Sequence, residues 1–121
     1  MISLRVLVIE DDALIAMLLA DTVIGLGHRV CAIEATEANA VAAAARFQPD
    51  MMIVDAGLSE GNGVSAVTTI LRAGFIPHIF VTGDPVQVKA LMPGAVVLQK
   101  PFFEPELVRA IALALPPAIA S

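Results

Sequence analysis

A chain of 121 residues has room for one domain and not comfortably for two, and it can bury enough surface to fold without crosslinks. Its single cysteine, Cys31, excludes an internal disulfide and a multi-cysteine metal site. A formal net charge of −5, with neither Trp nor Tyr, argues against an autonomous DNA or RNA binder, which needs clustered Lys and Arg and aromatic platforms.

Hydrophobic residues make up 58% of the chain, but much of that is alanine. Arg46, Asp50 and Asp55 interrupt the apolar runs well short of the roughly 20 residues a membrane span needs. The first residues lead straight into a strand-like segment and lack the layout of a signal peptide. A soluble, cytoplasmic protein with no membrane partner is expected. Cys31 sits among Val30, Ala32 and Ile33 and reads as a buried small hydrophobe.

In chain order, Leu4 to Ile9 reads as a buried strand, and Ala13 to Leu26 as a helix closed by Gly27. His28 to Ile33 is a second strand. Thr36 caps a helix through the alanine-rich stretch to Phe47, beyond which Pro49 forbids continuation. Met51 to Val54 is a third strand ending at Asp55. After a glycine-containing loop, Gly63 to Ala73 is a helix and His78 to Val81 a strand. Asp84-Pro85 starts a short helix toward Met92 as cap and first-turn proline. Ala95 to Leu98 is the fifth strand and Pro105 to Leu115 the last helix, leaving residues 116–121 as a tail too short for an output domain. Strands alternating with helices predict one doubly wound α/β domain over residues 1–121, a parallel five-stranded sheet with helices on both faces.

In such a sheet, ligands bind at the carboxyl ends of the strands. The polar residues collect there: Glu10-Asp11-Asp12 after the first strand, Asp55 after the third, Thr82-Gly83-Asp84 after the fourth, and Lys100 after the fifth. Clustered carboxylates need a cation, and hard oxygen ligands suit Mg²⁺ or Mn²⁺. A carboxylate beside such an ion can attack phosphorus, and the transferring phosphoryl group needs a cation, a lysine and hydrogen-bond donors. Taken singly, the three acids could simply favour a helix N-terminus, Thr82 could cap a turn and Lys100 could be a solvated charge.

The segments VLVIEDD, MMIVDAGL, FVTGD and LQKPF, in this order and spacing, resemble the receiver domain of two-component response regulators over nearly the whole chain. The resemblance implies a flavodoxin-like, CheY-like strand order of 2-1-3-4-5. It implies Asp55 as phosphoacceptor, Glu10, Asp11, Asp55 and the Gly57 carbonyl as Mg²⁺ ligands, and Thr82 and Lys100 as partners of the phosphoryl group. It also implies a cis Lys100-Pro101 bond. The expected function is that of a phosphoacceptor rather than an enzyme. It takes its phosphoryl group from a histidine kinase or phosphotransferase and signals through protein contacts, or acts as a phosphate sink.

Three departures stand out. Ser59 replaces the proline common in this loop, so a more mobile loop is expected. Val97 replaces the usual aromatic switch residue, so an aromatic swing is not the expected signal. Phe80-Val81-Thr82-Gly83-Asp84 partly matches the FAT GUY subgroup, which is associated with kinases of the HWE or HisKA2 class.

The helix LIAMLLADTVIGL is apolar nearly all round. It reads either as a docking patch around Met17 or as a helix whose exposed face is alanine. His28 and His78 read as structural. Two other functions compete: a receiver-like binding module that is never phosphorylated, and an aspartate-nucleophile phosphatase of the haloacid-dehalogenase type. The phosphatase wants a second acid two residues after Asp55, where Gly57 stands.

Overall fold

The computed structural model describes residues 2–116. Five strands, β1 (Arg5–Ile9), β2 (Arg29–Glu34), β3 (Met51–Asp55), β4 (His78–Thr82) and β5 (Val96–Gln99), alternate with five helices. The helices are α1 (Ala13–Gly25), α2 (Glu37–Phe47), α3 (Gly63–Leu71), α4 (Pro85–Leu91) and α5 (Glu104–Ala114). All strand pairs are parallel, as the alternating pattern predicts, in the order β2-β1-β3-β4-β5 that the resemblance implies. Boundaries differ by one or two residues. β3 and β4 run on to include Asp55 and Thr82, so both side chains are held by a strand rather than a loop. Most of the expected tail, 117–121, lies outside the described residues.

Side chains of successive strand residues point to opposite faces, and this alternation builds two cores. Val6, Val8, Met51, Ile53, Ile79 and Val81 face one way, against Leu19 and Val23 of α1 and Leu107 and Ile111 of α5. Leu7, Ile9, Met52, Val54 and Phe80 face the other, against the alanines of α2, Val67 and Ile70 of α3, and Val88 of α4. Ala40, Ala43 and Ala44 let α2 lie close to the sheet.

Helix ends follow the capping chemistry. Asp12 caps α1 through Oδ1, which accepts from Leu14 and Ile15 N–H, and Thr36 caps α2 by accepting from Asn39 N–H. α2 ends on Gln48 in the left-handed region, before Pro49 is reached. The edge position of β2 leaves Cys31 half-buried rather than buried, with its thiol 3.4 Å from the Val6 carbonyl. His28 Nδ1 accepts from Leu4 N–H at 3.1 Å, and His78 donates from Nδ1 to the Ile76 carbonyl at 2.8 Å, so both histidines serve structure. No helix among the described residues is long and apolar enough to cross a membrane.

Candidate functional site

The sheet topology brings the predicted polar residues to one rim. Glu10 follows β1 and is 2% exposed, Asp11 follows it, and Asp55 closes β3 as a buried side chain. These three offer one carboxylate oxygen each within 4.8 Å of one another. Lys100, just past β5, places Nζ 3.1 Å from Asp55 Oδ2 and 3.5 Å from Glu10 Oε1. The Lys100-Pro101 bond is cis, and the Lys100 backbone N–H donates to the Thr82 carbonyl at 2.9 Å.

Thr82 is buried at the end of β4, where its hydroxyl oxygen accepts from Asp84 N–H at 3.0 Å. Asp84 in turn caps α4, accepting from Gln87 N–H. Gly57 donates its N–H to Asp55 Oδ1 at 2.9 Å.

Electrostatics explains how the acids coexist. Burial raises Glu10 to about 7, with hydrogen bonding to Asp55 adding to the rise. Asp11 is held below the ordinary carboxylate range by its hydrogen bond with Glu10 and by donors from Ser59. Burial pulls Lys100 down, but the pairing with Asp55 and then Glu10 outweighs it and leaves the ammonium above its usual value. Three carboxyl groups against one ammonium leave a negative excess in a partly dry site. That excess and the all-oxygen donor set fit a hard divalent cation.

The loop after Asp55 is hydrogen-bonded to elements on both sides. Ser59 N–H, the group a proline would lack, donates to Asp11 Oδ2 at 2.9 Å. Further along, Glu37 takes Asn62 N–H on Oε1 at 3.0 Å and the Ser65 hydroxyl on Oε2 at 2.7 Å, while its own N–H donates to the Glu60 carbonyl at 3.1 Å. Sequence reading missed Glu37. It stands 25 residues from Asn62, and only its place beside the helix cap Thr36 marks it. At the loop's end a Cβ on Gly63 would strike the Asp55 carbonyl oxygen and Val54, so glycine lets α3 start against the acceptor strand.

Beside Lys100, α1 turns out apolar side chains. Leu14, Met17, Leu18 and Ile24 are exposed, while Ala16 and Ala20 are buried. The alternative of an alanine surface is therefore wrong: small residues face inward, where the helix approaches the sheet. Ile15, Leu18, Thr22, Lys100, Pro101 and Phe102 line a groove of about 560 Å³ that opens next to the acidic rim.

Comparison with known proteins agrees with this geometry. The response regulator receiver domain model matches residues 6–112. The chain is 39% identical over 83 residues to the phyllosphere-induced regulator PhyR of Methylorubrum extorquens, a match covering 67% of this chain and 31% of that protein. This chain thus spans about a third of that relative's length. The solved receiver domain of PhyR from Erythrobacter litoralis superposes with a TM-score of 0.82 at 35% identity, covering 93% of this chain and 89% of that one. The anti-anti-sigma factor PhyR from Bartonella quintana superposes with a TM-score of 0.80 at 32% identity, over 94% of this chain and 47% of that one.

Proposed function

The chain belongs to the response regulator receiver domain family of two-component signalling, and from that premise we propose that Asp55 accepts a phosphoryl group in a Mg²⁺-dependent reaction. The observation that carries this reading is the meeting of Glu10, Asp11 and Asp55 with Lys100 Nζ 3.1 Å from the acceptor carboxylate. Glu10, Asp11, Asp55 and the Gly57 carbonyl would hold Mg²⁺ or Mn²⁺. Such an ion draws charge from the phosphoryl oxygens as the group transfers.

The protein's own residues do the rest. An Asp55 oxygen attacks phosphorus as the N–P bond of a phosphohistidine breaks, and the imidazole leaves with the electron pair of that bond. Once Asp55 is an acyl phosphate its charge moves outward, and Lys100 exchanges the carboxylate for a phosphoryl oxygen. Thr82 keeps its O–H free to donate, because its oxygen already accepts from Asp84 N–H. Since Asp84 also caps α4, a shift of Thr82 is passed to that helix. Val97 sits beside the fully buried Phe80 across β4 and β5 and gives that position no ring of its own to swing; loop and α4 movement is the readout this arrangement favours.

The donor is a histidine kinase, of the HWE or HisKA2 class on the Phe80–Asp84 match, or a phosphotransferase. The exposed leucines of α1 and the groove beside Lys100 fit a helical donor that brings phosphohistidine to the rim. The protein acts in the cytoplasm, through protein contacts or as a phosphate sink.

Incubation with Mg²⁺ and acetyl phosphate or beryllofluoride tests this reading. Amide resonances around Asp55 and Thr82 are expected to shift in the wild type and not in Asp55→Asn; a silent wild type would refute it. Turnover of small phosphate esters would instead indicate a phosphatase. Partner binding that is unchanged in Asp55→Asn under phosphorylating conditions would indicate a phosphorylation-independent binding module.

A further inference from the structure

The Mg²⁺ ligands are reached by a chain of contacts that begins on a helix carrying none of them. Glu37, the first residue of α2, makes three hydrogen bonds to the segment after Asp55: its backbone N–H donates to the Glu60 carbonyl, and its carboxylate accepts from Asn62 N–H and the Ser65 hydroxyl. The backbone at Gly61 passes so close that a Cβ there would strike the Glu37 side chain, and its φ of +81° is one that glycine adopts without strain. Two residues before Gly61, the Ser59 N–H donates to Asp11 Oδ2. The loop is thus strung between Glu37 on one side and Asp11 on the other, with Gly57 within the same stretch bonded to Asp55.

We propose that Glu37 is a positioning residue of the cation site: by holding residues 60–65 it keeps the Ser59 amide on Asp11 and fixes that carboxylate's orientation for a divalent ion. The inference rests on the Mg²⁺ site proposed above. Groups that orient metal ligands from outside the coordination sphere set affinity because a ligand free to rotate must be ordered when the ion binds. Glu37 works at one remove, through the backbone segment 60–65 that its bonds hold. The Ser59 link is absent wherever proline occupies this position, since proline has no N–H to donate.

The glutamate's carboxylate accepts both of its side-chain bonds, and glutamine could reproduce both. Its carbonyl can accept from Asn62 N–H, and its amide can donate to the Ser65 oxygen. Alanine can reproduce neither. Rescue by the amide therefore separates positioning from a role for negative charge.

Mg²⁺ titration of the wild type, Glu37→Ala and Glu37→Gln, followed through the amide resonances of Gly57 and Ser59, provides the test. Glu37→Ala is expected to bind Mg²⁺ about fivefold more weakly, with the Ser59 proton shifted upfield as its bond to Asp11 lengthens. Glu37→Gln is expected to restore both values. A Glu37→Ala protein with wild-type affinity, or a Glu37→Gln protein as weak as the alanine variant, would overturn the inference. If Glu37→Ala does not fold, Ser65→Ala removes one of the bonds with little change in volume; about twofold weakening then supports the inference and unchanged affinity overturns it. A wild type that binds no Mg²⁺ would overturn the proposed cation site itself, a different result from variants that bind as well as the wild type.

Discussion

Lys100 spans the sheet edge to hold Asp55, with Nζ 3.1 Å from Oδ2, and the same ammonium lies 3.5 Å from Oε1 of Glu10. One cation thus separates two carboxyl groups whose side chains are 1% and 9% exposed. Its role in the resting protein is to make that pair tolerable.

Replacing Lys100 by methionine keeps the stem and removes the charge. With metal chelated at pH 8, the variant is expected to lose about 2 kcal/mol, roughly 6–10 °C in Tm, because two buried carboxylates face each other uncompensated. Thermal unfolding followed by circular dichroism checks this, and an unchanged Tm would show that the pair needs no counter-charge.

Metal-free stability should fall as pH rises. The folded-state value of Glu10, about 7, lies above its ordinary 4.5. The contribution of its protonated form is therefore full below about 4.5 and lost as pH passes through 7. Lys100, raised from 10.5, loses its contribution only in a more alkaline range. In chelator, Tm should drop between pH 5 and pH 8. Glu10→Gln should lose most of that slope, and added Mg²⁺ should raise Tm more at pH 8 than at pH 6. A slope equal to wild type in Glu10→Gln would assign the effect elsewhere.

Two glycines, one in the loop after Asp55 and one at the start of α3, should respond unequally to alanine. At Gly57 the nearest neighbour of an added Cβ is Asp55 Oδ1 at 4.0 Å, so Gly57→Ala should change stability by less than about 0.5 kcal/mol. Gly63→Ala drives a methyl group into the Asp55 backbone carbonyl and should cost about 2–4 kcal/mol or prevent folding. Chemical denaturation of both variants decides the point; equal costs would show that α3 can shift away from β3.

Leu18 lines the groove beside Lys100 and is 57% exposed. Leu18→Asp should therefore leave labelling by acetyl phosphate intact while cutting phosphotransfer from the cognate kinase at least tenfold, since a charge would be buried at the apolar contact. Parallel loss of both reactions would instead point to damage at the rim.

The parallel sheet and the meeting of Glu10, Asp11, Asp55 and Lys100 were legible because β-branched runs mark the strands and a parallel sheet sends every strand end to one side, whereas the strand order came from the family resemblance. Three features were not. α1 is apolar nearly all round, so its lone charge, Asp21, makes no polar stripe to say that Ala16 and Ala20 turn inward and Leu14 and Leu18 outward. Ser59 read as a loosening of the loop because the proline's rigidity was weighed as lost, whereas the backbone N–H that serine brings is what Asp11 uses. Glu37 went unread, since its bonds to Asn62 and Ser65 depend on a loop path that no local periodicity encodes.

Glu10 and Lys100 stand 90 positions apart, and the ammonium arrives just past the last strand of the sheet. A chain emerging from the ribosome therefore presents its carboxylates long before it has the lysine that compensates them. The acidic rim cannot become chemically competent by local folding of the first half. The lysine reaches the two carboxylates only once β5 has joined the sheet, so the rim is completed when all five strands are in place.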